Sequence, residues 1–122
     1  MGNLSSAQAA GYDSLSDRDA RSVLTVANTI LQQLGGNRFK IMTGAKDFIG
    51  DETSLMFRIP RAKDGINKVR VTLDLAIDLY SVEFMRVNFK KYTFETVHTS
   101  NQVYFDDLER VFTEHTGLYT RL

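Results

Sequence analysis

A chain of 122 residues, 43% hydrophobic and 25% charged, has the size and balance of one globular domain, neither disordered nor membrane-spanning. It contains no cysteine, which excludes disulfides, thiolate zinc sites and thiol catalysis. Fifteen basic residues meet fifteen acidic ones, so no overall charge draws the chain toward nucleic acid or a membrane.

The charge is nevertheless uneven. Residues 1–35 sum to −1, residues 36–91 to +4 (eleven Lys and Arg against seven Asp and Glu) and residues 92–122 to −3. Pairing of these charges across the fold accounts for the pattern most simply. The longest uncharged apolar stretch, Val23 to Leu34, is short and interrupted by threonines, Asn28 and glutamines, so it does not read as a bilayer span. No basic region followed by an apolar stretch opens the chain, so a secretory signal is not expected.

Residues 1–13 are small and polar without an apolar period and read as a flexible tail before a single domain over residues 14–122. Ser16, with Asp19 three residues on, reads as the N-cap of a first helix. Ala20, Val23, Leu24, Ala27, Ile30, Leu31 and Leu34 follow helical spacing, and Gly35-Gly36 ends it. Arg38 to Met42 alternates and predicts a strand with Phe39 and Ile41 on the inner face. Thr43 to Phe48 predicts a turn with a short helical piece. Leu55, Phe57 and Ile59 form the next strand, closed by Pro60, and Lys63-Asp64-Gly65 is a turn signal.

Val69, Val71 and Leu73 define a strand, Val82 and Phe84 another. Met85 and Val87 break the alternation of the latter, which predicts a bulge or burial on both faces. Asn88 to Lys91 reads as a hairpin tip leading into Tyr92, Phe94 and Thr96. A closing helix is expected from about Val103 to Thr116, capped by Gly117, with Leu118 folding back on Phe112. Short connections imply antiparallel pairing. The predicted fold is α+β with two layers: an antiparallel sheet of four or five strands, with an N-terminal and a C-terminal helix packed on one face. At roughly 1.5–3 kcal/mol per large side chain buried, the apolar set completes a core with no cofactor.

A search for chemistry finds little. His115 sits on an apolar helix face and His98 at a strand end, which suits packing better than a metal site. Thr43-Gly44-Ala45-Lys46 hints at a phosphate turn through Lys46 but lacks the full P-loop pattern. The pairs Asp51-Glu52 and Asp106-Asp107 do not converge, and no nucleophile elbow occurs. An enzyme, a metal and a cofactor are not expected. Alternation instead gathers Arg38, Lys40, Arg58, Lys68 and Arg70 on the outer face of the sheet. Those cations suit a phosphate backbone, yet Phe39, Phe57, Phe84 and Phe94 all fall on the core side, and Glu83 and Glu95 beside the cations offer cross-strand ion pairs. Phe89 and Tyr119 are candidate partner contacts.

Four blocks carry a family likeness: Leu34 to Phe48 (LGGNRFKIMTGAKDF), Leu55 to Pro60 (LMFRIP), Gly65 to Leu73 (GINKVRVTL) and His115 to Tyr119 (HTGLY). Over roughly residues 24–122 the chain resembles a group of small uncharacterised bacteriophage and prophage proteins. The resemblance implies a phage gene product in the cytoplasm of a bacterial host and carries no catalytic residue with it. The expectation is a non-enzymatic phage accessory protein that binds a macromolecular partner, first of all a host or phage protein, with interference in host defence as one role. The alternative is nucleic-acid binding through the basic sheet face; a third reading is a small ligand at the Thr43–Lys46 turn. No membrane partner is expected, and the two open sheet edges favour a homodimer.

Overall fold

The computed structural model describes residues 24–121. The expected tail, the cap at Ser16 and the first half of the opening helix lie outside them. Helix α1 (Thr25–Leu34) buries Ala27, Ile30 and Leu34, the stripe that its spacing demands. Gly35, at φ +127°, ends it by donating to the carbonyls of Leu31 (3.2 Å) and Gln32 (3.1 Å).

Residues 36–43 depart from expectation: they form a second helix, α2 (Gly36–Thr43), not a strand. Phe39 and Thr43 are buried one turn apart, while Ile41, the residue an alternating strand would bury, is 82% exposed. The helix is closed by local chemistry. The Thr43 hydroxyl donates to the Phe39 carbonyl (2.7 Å), and Gly44, left-handed at φ +74°, donates to the Lys40 carbonyl (3.0 Å).

The turn expected over Thr43–Phe48 is correspondingly replaced by strand β1 (Lys46–Gly50). Strands β2 (Ser54–Arg58), β3 (Lys68–Asp74), β4 (Leu79–Asn88) and β5 (Thr93–Val103) complete a five-stranded sheet in chain order, every neighbour antiparallel. Turn chemistry accounts for the connections. Asp51 accepts the amides of Thr53 (3.0 Å) and Ser54 (2.8 Å), bonds that hold its carboxyl below the usual carboxylate value. Asn88 accepts those of Lys90 (3.0 Å) and Lys91 (3.1 Å) at the hairpin tip. Asn67 extends the ladder beyond β3 with its side chain, donating to the Val87 carbonyl (2.9 Å) and accepting its amide (2.8 Å).

The sheet is not regular. β5 carries an extra residue at Val97, between the pairs Phe84–His98 and Met85–Thr96, and a second irregularity before Val103, where Gln102 has φ +56°. β1 is bulged between Lys46 and Ile49, with Asp47 at φ +57°. The Val97 bulge changes which face β5 presents, so Val97 packs on the core while Phe94 turns to the outer side opposite Val87. Phe94, expected inside, is 69% exposed.

The closing helix is also shorter than expected. Val103 ends β5 opposite Tyr80, Tyr104 is extended, a 3-10 turn covers Phe105–Asp107, and α3 runs Leu108–Thr116. Tyr104 is exposed. Gly117 caps α3 at φ +77°, and Leu118 packs against the core.

The helices cover one face, and the core closes between the layers. Phe39 (α2), Phe57 (β2) and Phe112 (α3) form a triangle of rings, with Phe39 edge-on to Phe57 at 5.3 Å and to Phe112 at 5.2 Å. Val69, Val71, Val82 and Phe84 from the sheet and Leu108 and Val111 from α3 complete it. Among the described residues no helix lies over the opposite face of the sheet.

Candidate functional site

Register decides what this outer face carries. In an antiparallel pair, residues directly opposite share a face. Lys46 stands opposite Arg58, Arg58 opposite Lys68, and Lys68 opposite Met85, so three cations occupy one row across β1, β2 and β3. The next row runs Ile49, Met56, Arg70, Glu83, and the row toward the tip pairs Val87 with Phe94.

Of the five expected cations, Arg58, Lys68 and Arg70 therefore lie on the outer face. Arg38 and Lys40 do not: both belong to α2, because residues 36–43 are helical. Arg38 reaches Glu109 on α3 (3.9 Å), and the Lys40 ammonium lies 5.0 Å over the Phe48 ring. Lys46 joins the outer row instead, for a different reason from the one that singled it out. The phosphate turn does not form: the Thr43 hydroxyl and Gly44 amide are engaged in ending α2, and Lys46 opens a strand.

The charges on this face are only partly compensated. Arg58 donates to Asp47 (3.1 Å), and Arg70 lies 3.8 Å from Glu83, a solvent-facing pair worth about 0–1 kcal/mol. Glu95, expected to balance the same cations, pairs with Arg86 (2.6 Å), since these two residues face each other on the opposite side of the hairpin.

Aromatic residues are present here after all. Phe89 folds back from the tip so that the Arg58 guanidinium lies 3.8 Å over its ring, a cation–π contact worth about 0.5–1 kcal/mol at an exposed site. Tyr92, at φ +54° in the turn, is 91% exposed, and Phe94 stands beside it on β5. A groove of about 520 Å³ runs between these rings and the sheet, floored by Met56 and Met85 and bordered by Lys68 and Arg70. A second, of about 730 Å³, lies along the hairpin with Arg61, Arg86 and Lys90 on its walls. The two share Val87, Phe89, Thr93 and Phe94. Phe89 was legible as a hairpin-tip aromatic. Tyr92 and Phe94 as partners of the cations were not, because their side depends on the Val97 bulge.

Tyr119 is exposed, as expected, but lines a separate mixed-charge groove over α3 with Asp106, Glu109 and Arg110. The structure also unites two residues that the sequence leaves apart. The rings of His98 and His115 stack at 3.9 Å, with Phe84 at 5.0 Å from His115. Ser100 Oγ lies 3.1 Å from one Nε2 and 3.4 Å from the other. A hydroxyl has one proton, so Ser100 can donate to only one of the two imidazoles, and each ring's role follows its tautomer. Burial first, then the neighbouring His98, pushes the His115 imidazole below its ordinary value. Near-parallel rings aim their nitrogens side by side rather than at a common centre, and these residues line none of the grooves above. The pair therefore reads as the packing contact between α3 and β5.

Among the described residues no three His, Asp or Glu gather in a metal-binding group, and no helix is long and apolar enough to cross a membrane. No protein-family model matches the chain, and no curated protein or solved structure is significantly similar to it.

Proposed function

We propose that this protein is a phage accessory protein that acts by binding a macromolecule through the outer face of its sheet and performs no chemistry itself. One observation carries the reading: on the side of the sheet that no described helix covers, the exposed rings of Tyr92 and Phe94 stand beside half-buried Met56 and Val87, over buried Met85, with cations at the rim. Exposed apolar surface with a polar border is what interaction sites present. The phage setting, and with it the cytoplasm of a bacterial host, rests on the four sequence blocks.

Composition admits a host or phage protein as occupant, since Met, aromatic residues and Arg are enriched in protein interfaces. Interference with a host defence system fits a small single-domain binder of this kind. A photo-crosslinking residue in place of Phe94, with the same residue in place of Ile41 on the helix layer as control, tests the face in host cells. An adduct with a macromolecule from position 94 and none from position 41 is expected. Equal labelling from both, or none from either, would remove the outer face as the binding surface.

A further inference from the structure

We infer that the occupant of the outer face is a single-stranded nucleic acid, an inference that rests on the reading of this face as a binding surface. The row of Lys46, Arg58 and Lys68 is its foundation. Like charges opposite one another destabilise a sheet, yet three stand in register on adjacent strands. Among the described residues only Arg58 of the three has a carboxylate within ion-pair distance. A phosphate backbone laid along the row would relieve that repulsion, and Arg70 in the neighbouring row extends the track.

The rings supply what the backbone track lacks. Tyr92 and Phe94 are exposed at the end of the hairpin, beside Phe89, one face of which Arg58 covers. A basic channel with solvent-facing aromatics is the arrangement on which unpaired bases stack, since every base has a π-face. In a duplex those faces are already stacked on one another and closed to protein side chains, so rings outside a duplex gain nothing from them. Charge favours the strand over a protein as well: in the groove on the outer face Lys68 and Arg70 meet one carboxylate, Glu83. The chain as a whole is neutral, so this surplus is local.

Fluorescence anisotropy with end-labelled oligothymidylate and oligouridylate of about 12 nucleotides, a length within single-strand site sizes, tests the inference and separates DNA from RNA. Binding of at least one is expected, and a blunt duplex of the same length should bind more weakly. With phosphate contacts from Lys46, Arg58, Lys68 and Arg70, affinity should fall about 50-fold between about 50 and about 200 mM salt. Tyr92→Ala and Phe94→Ala should each weaken binding about tenfold. Their thermal midpoints should not move, because both rings lie in solvent. No binding of either oligomer at the lower salt, or binding indifferent to both ring substitutions, overturns the inference. If the oligomers fail while the position-94 crosslinker captures a protein, the inference falls and the face stands as a protein site. If the crosslinker captures nothing either, both fall.

Discussion

Replacing Phe39 and Ile41 by alanine, one at a time, separates the helical from the extended conformation of residues 36–43. In a strand the two side chains share a face and both would be core residues, each costing about 2–5 kcal/mol on truncation. In α2 they diverge. Phe39 is fully buried and meets two rings edge-on, at 5.3 and 5.2 Å. Truncating such a phenylalanine costs about 3–5 kcal/mol, and ring pairs worth about 0.5–1.5 kcal/mol beyond burial place Phe39→Ala toward the upper end. Ile41 is 82% exposed. Alanine is the better helix former, so Ile41→Ala should change stability by no more than about 0.5 kcal/mol in either direction. Equilibrium urea unfolding followed by circular dichroism reads both. At about 4–8 °C per kcal/mol for a domain near this size, Phe39→Ala should lower the melting temperature by more than about 12 °C. A loss above about 2 kcal/mol for Ile41→Ala would refute the helix, because only a buried site yields it.

Two further substitutions probe packing and charge. A Cβ on Gly50 would stand 2.7 Å from Ala27 Cβ and 3.1 Å from Leu24 Cδ2, so Gly50→Ala should cost about 1–3 kcal/mol by urea unfolding. Unchanged stability would show that α1 does not lie against the end of β1. His115 is depressed on folding, first by burial, so the unfolded chain binds the proton more readily. Its neutral form therefore adds stability above the unfolded value of about 6.5, and that stability is lost as pH falls through and below it. His115→Gln should flatten this acid-side slope, and a wild-type chain that gained stability over the same fall in pH would contradict the burial of the ring.

Much of the fold was readable because its periods are unambiguous. Ala27, Ile30 and Leu34 admit only a helix, and Leu55–Phe57 and Val69–Val71 only strands with one buried face. Residues 38–42 were misread because five residues fit both periods: Phe39 pairs with Ile41 at spacing two, but with Thr43 at spacing four. The glycines on either side, Gly35 and Gly44, decide the matter through their backbone angles. β1 escaped notice because its left-handed Asp47 breaks the alternation. The site was legible in Arg58, Lys68 and Arg70, which regular strands carry outward. Its rings were not, since one extra residue at Val97 fixes the side that Phe94 takes. The His98–His115 stack joins a strand to a helix across the layers, a contact that no local pattern encodes.

An open sheet leaves unused donors and acceptors along its two borders, and proteins commonly guard such borders with lysine or proline. Here the backbone itself is the guard. β1 is kinked at Asp47, and β5 at Val97 and Gln102. A strand arriving from a second molecule would find only short stretches of aligned partners before falling out of step, so growth of the sheet from chain to chain stalls. The long, threonine-rich outer strand thus offers an incoming chain few consecutive partners in register.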